Sequence, residues 1–172
     1  MIALGLVGQD TERYGGLGFG NLSSRIGTGF IVTASQTGHL PDLSSGDFSE
    51  IVEWNIDRNF VYARGESKPS SESLTHAAVY QVSDRARSVI HVHSPLIWSN
   101  GDKLGIPSTD WRSAYGTPEM AEEVMQIVGN NVPNGVLVMK GHEDGVLSWG
   151  DSLAVAGNRL LHLLSEARLN KV

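Results

Sequence analysis

The residues best suited to chemistry stand in "SVIHVHSP", Ser88 to Pro95, where His91 and His93 sit one residue apart in a run otherwise apolar and β-branched. On a strand, positions i and i+2 point the same way, about 7 Å apart. Two imidazoles so placed can converge on one cation at Zn–N distances of about 2.0–2.1 Å. Val92 between them then turns to the opposite side and enters the core. "HVH" is therefore a two-ligand half-site on one rigid element, or else a pair of hydrogen-bonded strand histidines. The motif alone leaves both readings open.

A candidate third ligand is His142 in "MKGHEDGV", a turn that follows an apolar strand. Strand ends and loops commonly present site residues, although a turn histidine can equally bond its own backbone. Glu143 and Asp144 beside it read as solvent-facing. Glu72 falls in the first turn of a helix opening at "PSSES", where an isolated glutamate complements the helix dipole. Near a metal, the same carboxylate could ligate it or act as a base. His76 lies at i+4 and shares a helix face with Glu72, which makes a rival ligand pair and a possible pocket residue. A strand pair plus a turn histidine is the more rigid set and ranks first. His39 and His162 read as ordinary residues.

Beside Glu72, Ser70 and Ser71 offer hydroxyls and free amides at a helix start, a place that binds phosphate or carboxylate readily. Asn21 in "GNLS" and Thr37 with Gly38 in "TASQTG" could join them. Glycine lets the backbone approach an anion closely, and Asn and Thr can donate to it. Each of these signals is weak alone.

The elements that must position these groups follow from periodicity and turn chemistry. Strands are expected in "GFGNLSSR" (18–25), "TGFIVTAS" (28–35) and "EIVEWNI" (50–56), separated by turn-forming clusters such as "QTGHLPDLSSGD". A helix over 68–84, opened by Pro69 and Ser70, carries Leu74, Ala77, Ala78 and Val82 at helical spacing. The histidine strand comes next. A second helix over 117–129 has Thr117 as N-cap, Pro118 at N1 and Gly129 near its end. Strands "GVLVMK" and "GVLSW" flank the turn "GHEDG", and a closing helix over 150–169 is capped by Asp151 or Ser152. Strands first, then alternating helix and strand, fit a layered α/β domain with a mixed sheet.

At 172 residues the chain is most simply one domain, 1–172, with a single sizeable core. A net charge of −6 gives no basic face for nucleic acid or an anionic membrane. With no cysteine, a metal site here must use His, Asp or Glu. The start, "MIALGLVGQD", lacks a basic segment and a small-residue cleavage signature, and no apolar run approaches about eighteen residues. The expectation is a soluble, cytoplasmic protein.

In order, "GNLSSR", "FIVTASQTG", "KPSSESLTHAAVY", "VIHVHSP" and "GHEDGVLSWGDSLAVA" resemble the class II aldolase/adducin family, from about Gly18 to about Ala167. The resemblance implies a three-layer α/β/α sandwich with a central mixed, largely antiparallel β-sheet. It also implies zinc held by His91, His93 and His142, with manganese or cobalt able to use the same ligands. Glu72 matches the acid/base glutamate of the fuculose-phosphate aldolase branch. Asn21, Thr37, Gly38, Ser70 and Ser71 match the family's phosphate-binding residues, and Tyr115 falls where the aldolases have an aromatic. The implied function is retro-aldol cleavage of a small phosphorylated sugar by a homo-oligomer, typically a tetramer with sites at subunit interfaces. Epimerisation, dehydration of a phosphorylated methylthio-sugar, or a non-catalytic adducin-like assembly role are the alternatives. Epimerases of the family tend to carry aspartate at the Glu72 position, and adducin-like modules lose the metal histidines.

The sequence departs from the family in four places. It has little ahead of the "GN" block, where the aldolases carry a full helix, which points to an unusual start or a shortened chain. The segment between "HVHSP" and "YGTPEM" is shorter, so no catalytic tyrosine is carried over from it. The chain stops at Val172 without the aldolase tail, and "GHEDG" replaces a plainer His-Gly.

Overall fold

Glycine and β-branched residues dominate the first third of the chain, and it folds as strands in the structure, a computed structural model that describes residues 1–169. An N-terminal arm carries a small hairpin, β1 (Gly8–Gln9) with β2 (Gly18–Phe19). Strands β3 (Asn21–Ile26), β4 (Gly29–Thr33), β5 (Phe48–Asn55) and β6 (Phe60–Arg64) follow as an antiparallel meander. Then come α1 (Ser73–Val82), β7 (Ser88–His93), α2 (Pro95–Asn100) and α3 (Pro118–Val128). Strands β8 (Gly135–Val138) and β9 (Gly145–Gly150) and helix α4 (Leu153–Leu169) close the chain.

The large sheet runs β6-β5-β4-β3-β7-β9-β8, and every ladder in it is antiparallel. Among the described residues the parallel component is one isolated bridge, Ser108 to Val138. Helices α1 and α3 cover one face around Phe30, Ile51, Val89 and Leu147. On the other face α2 and α4 pack Ile97, Ala156 and Leu160 against Ile90, Val92 and Val146. The result is the expected three-layer α/β/α sandwich. Removing a side chain such as Leu160 from water contributes about 1.5–3 kcal/mol, and many such residues hold the layers together.

The structure differs from the sequence reading at three boundaries. Helix α1 begins at Ser73, later than Pro69, because the preceding segment is tied to the sheet: Pro69 bridges Ala34, and the Ser70 amide donates to the Thr33 carbonyl at 3.2 Å. Strand β6 is an edge strand whose outward residues Phe60 and Tyr62 are exposed, so it lacks the polar-out alternation by which such strands are recognised. Helix α2 follows the histidine strand directly. Its six residues are too few for a periodic signal, and Ser94 caps it by accepting from the Ile97 amide. Helix α3 follows the expected pattern, with Thr117 Oγ1 accepting from Met120 N and Gly129 leaving the helix at φ 67°. No described helix is long and apolar enough to cross a membrane.

Candidate metal centre

Strand β7 alternates as its sequence dictates. Ile90 and Val92 enter the core beneath α2 and α4, while Val89, His91 and His93 point to the α1 side. The register then assembles the rest of the site. His91 sits between Asn21 of β3 and Leu147 of β9, and His93 lies opposite Gly145, the first residue of β9. The loop joining β8 to β9 carries His142, whose amide donates to the Met139 carbonyl while its own carbonyl accepts from Gly145. A hairpin turn thus delivers the third imidazole beside the strand pair. Candidate ligand atoms of His91, His93 and His142 all lie within 4.8 Å of one another.

Glu72 comes from the opposite layer, at the residue before α1. Ser70 forms the turn that aims it: the Ser70 carbonyl accepts from Ser73 N and Ser73 Oγ, and Ser70 Oγ accepts from the Glu72 amide. Thr75 donates to Glu72 Oε2 at 2.9 Å, whereas Oε1 has no partner. Oε1 lies 3.9 Å from His142 Nδ1, too far for a hydrogen bond, and the two groups are no ion pair while the imidazole is neutral.

Burial sets the protonation states. It pushes the Glu72 carboxyl up to about 7. It pushes His93 down to about 3, helped by His142 and Arg13, and His142 down to about 4. His91 is driven well below its usual range by burial and by the neighbouring histidines. All three imidazoles are therefore neutral at neutral pH, with lone pairs available.

Buried polar atoms without partners are rare in folded proteins and call for an explanation. Here they gather in one place. They are Asn21 Oδ1, Glu72 Oε1, both ring nitrogens of His91, Nδ1 of His93 and Nδ1 of His142; outside the pocket, the one other among the described residues is His76 Nε2. A divalent cation among the three imidazoles would satisfy several of them at once, and nitrogen donors suit zinc. The donor set fits such an ion.

These groups line a pocket of about 370 Å³. Asn21, Thr37, Gly38, Ser70 and Ser71 line it as well. Thr37 Oγ1 donates to the Ala34 carbonyl, which fixes the loop. Gly38 has no room for a side chain, since a Cβ would come within 2.6 Å of the Gly8 carbonyl oxygen. Among the described residues no lysine or arginine lines the pocket, so an anion here would be held by amides and hydroxyls.

Tyr115 also lines the pocket and stacks on His142, whereas His76 does not line it. His76 is fully buried behind the pocket, its Nδ1 2.7 Å from Ser23 Oγ, which in turn meets the Tyr80 hydroxyl at 2.8 Å. The Glu72–His76 pair is thus not brought together as ligands. His39 is exposed, and His162 faces Glu166 at 3.6 Å on α4. Asp144, expected in solvent, accepts instead from the Tyr14 hydroxyl at 2.6 Å. Tyr14 and Phe19 line the pocket too, and the sequence reading passed over both. They stand in a glycine-rich stretch with no periodicity to mark them.

Comparison with known proteins shows the family and the fold. Residues 10–170 match the class II aldolase and adducin N-terminal domain, and the chain belongs to that family. A methylthioribulose-1-phosphate dehydratase of Gluconacetobacter diazotrophicus is 26% identical, over 82% of this chain and 76% of that protein. The fold is similar to that of the L-fuculose-1-phosphate aldolase of Thermus thermophilus, with a TM-score of 0.72 at 20% identity, over 98% of this chain and 85% of that one. A sugar-phosphate aldolase from Thermotoga maritima gives a TM-score of 0.65 at 16% identity, over 87% and 83% of the two chains.

Proposed function

We propose that this chain is a divalent-metal-dependent lyase, with zinc the expected ion, that cleaves a small phosphorylated hydroxy-carbonyl compound by a retro-aldol step. One observation carries the reading: three neutral imidazoles and an unpartnered, buried carboxylate oxygen converge in a single pocket. His91, His93 and His142 would hold the ion, which supplies Lewis-acid polarisation of a substrate carbonyl or hydroxyl. A cation nearby favours the ionised form of Glu72 and so keeps it available as a base.

Glu72 Oε1 is the atom that moves the proton. It takes one from the substrate hydroxyl, which becomes the aldehyde as the C–C bond breaks, and returns it to the carbon α to the other carbonyl, which keeps the electron pair of the broken bond. Asn21, Thr37, Gly38, Ser70 and Ser71 anchor the remote phosphate, and this fixes the reacting carbons beside the histidines. Burial of Glu72 excludes bulk water from the proton transfer.

Dehydration is the second reading, favoured by the 26% identity to the methylthioribulose-1-phosphate dehydratase. It uses the same residues, with loss of water in place of C–C cleavage. The resemblance to the aldolases supports a homo-oligomer, a tetramer, and the proposed location, read from the sequence, is the cytoplasm.

Elemental analysis of untagged protein, followed by a screen of phosphorylated ketoses and aldoses with product identification, tests the proposal. About one divalent metal per chain is expected. Two carbonyl fragments would mark the aldolase, and a single dehydrated product the dehydratase. His93→Ala should fold, as judged by circular dichroism, and hold no metal. Glu72→Gln should keep the metal and lose turnover. No metal, and none taken up on adding zinc to folded protein, would leave an adducin-like scaffold.

A further inference from the structure

The N-terminal arm reaches the histidine cluster from outside the sandwich, and it touches both imidazole-bearing segments, β7 and the turn of His142. Tyr14 sits in the loop between β1 and β2. Its ring meets that of His93 edge-on, with centroids 4.4 Å apart and planes at 67°. Its hydroxyl donates to Asp144 Oδ2 at 2.6 Å, across 130 positions of sequence, in the turn that bears His142. Arg13 completes the cluster. Its guanidinium donates to the Tyr14 hydroxyl at 2.5 Å and lies over the Tyr14 and Phe19 rings at 4.8 and 4.9 Å.

Both ends of this bond are held in a left-handed backbone conformation, φ 49° at Tyr14 and φ 62° at Asp144. A bulky aromatic residue rarely adopts it, and such strain persists only where the surroundings over-determine it. An incidental surface contact between a tyrosine and an aspartate needs no such arrangement. Asp144 is tied on its other side too, where its carbonyl accepts from the Ser94 amide, next to His93, at 2.8 Å. The His93 amide in turn donates to the Leu6 carbonyl of the arm at 2.9 Å.

We infer that Tyr14 is a positioning residue for the metal centre, a latch whose ring seats His93 and whose hydroxyl, through Asp144, fixes the turn carrying His142. The inference rests on the metal reading above and adds to it. The ligands come from a strand and from a turn, and one backbone bond, from the Ser94 amide to the Asp144 carbonyl, ties the turn to the end of β7. The arm adds a second constraint, made by side chains, from a third segment. Residues that orient ligands from outside the coordination shell commonly change metal affinity by about 10–100-fold when removed.

The experiment measures zinc affinity by competition with a chromophoric chelator, and the absorption spectrum of the cobalt(II)-loaded protein. The proteins are wild type, Tyr14→Phe, Asp144→Gly and the double variant. Phenylalanine keeps the ring, and glycine tolerates the positive φ while removing the carboxylate. Each single variant should bind zinc about tenfold more weakly and shift the cobalt bands. The double variant should lose less than the product of the two, since both break one bond. Wild-type affinity and an unchanged cobalt spectrum in Tyr14→Phe would overturn the latch, as would fully multiplicative losses. If Tyr14→Phe fails to fold, Asp144→Gly decides alone by the same two readouts. A wild-type protein that takes up neither ion overturns the metal reading, and the latch with it.

Discussion

The ring of Tyr115 lies on the imidazole of His142, with centroids 4.5 Å apart and planes 26° from parallel. Stacking of this kind contributes about 0.5–1.5 kcal/mol where the pair is buried. Tyr115 is 55% exposed, so the lower end applies. Tyr115→Phe should leave the urea unfolding midpoint of metal-free protein unchanged, and Tyr115→Ala should cost about 0.5 kcal/mol. A loss above about 2 kcal/mol would mean that the ring also supports its own loop.

Gly141 shows how tightly that loop and the histidine turn are fitted. A Cβ at this position would run into the Ser113 carbonyl. Ser113 cannot easily retreat, because its hydroxyl donates to Glu123 Oε1 while the Asp110 amide donates to Oε2 of the same carboxylate on α3. Gly141→Ala should therefore displace the turn that carries His142. The expected cost is about 1–3 kcal/mol by urea unfolding, together with weaker zinc binding by titration. Wild-type values in both would show that the Ser113 loop yields instead.

His76 makes the protein sensitive to acid. Burial pushes its imidazole down to about 3, among Tyr80, Glu72 and His91, whereas in the unfolded chain it titrates near 6.5. Between these values the unfolded state binds the extra proton. The stability linked to His76 is thus complete above about pH 6.5 and is lost as pH falls through that window. His76→Gln should be less stable at neutral pH, yet its unfolding free energy should fall less steeply from pH 6.5 to 4.5, by about one proton per molecule. Urea denaturation at several pH values measures both; parallel slopes would remove His76 from the account.

The sandwich and the three histidines were legible in the sequence because their signals are local or repeated along the chain. Alternation across "VIHVH" is enough to place His91 and His93 on one face and Ile90 and Val92 on the other. Five blocks in a set order bring in Glu72, His142 and the loop of Thr37 and Gly38. What escaped was contact across long separations. Nothing near Tyr14 announces a partner at Asp144, and "GHEDG" reads as a solvated turn until the arm is placed over it. His76 looked like a ligand candidate because helical spacing put it under Glu72. Its partner, Ser23, comes from a strand 53 positions away.

Strand β7 is hydrogen-bonded on both sides, to β3 and to β9, and sits inside the sheet with all six of its residues buried. Its amides belong to the part of a protein that exchanges hydrogen only when the whole molecule opens. The turn bearing His142 is short and partly exposed, so of the two segments it is the one expected to open by local fluctuation. Under the proposed ligand set, an ion held between them would be gripped by two ligands at the depth of global unfolding and by one at a much shallower free energy. Its departure would then be timed by the turn, whose residues set the lifetime of the loaded state.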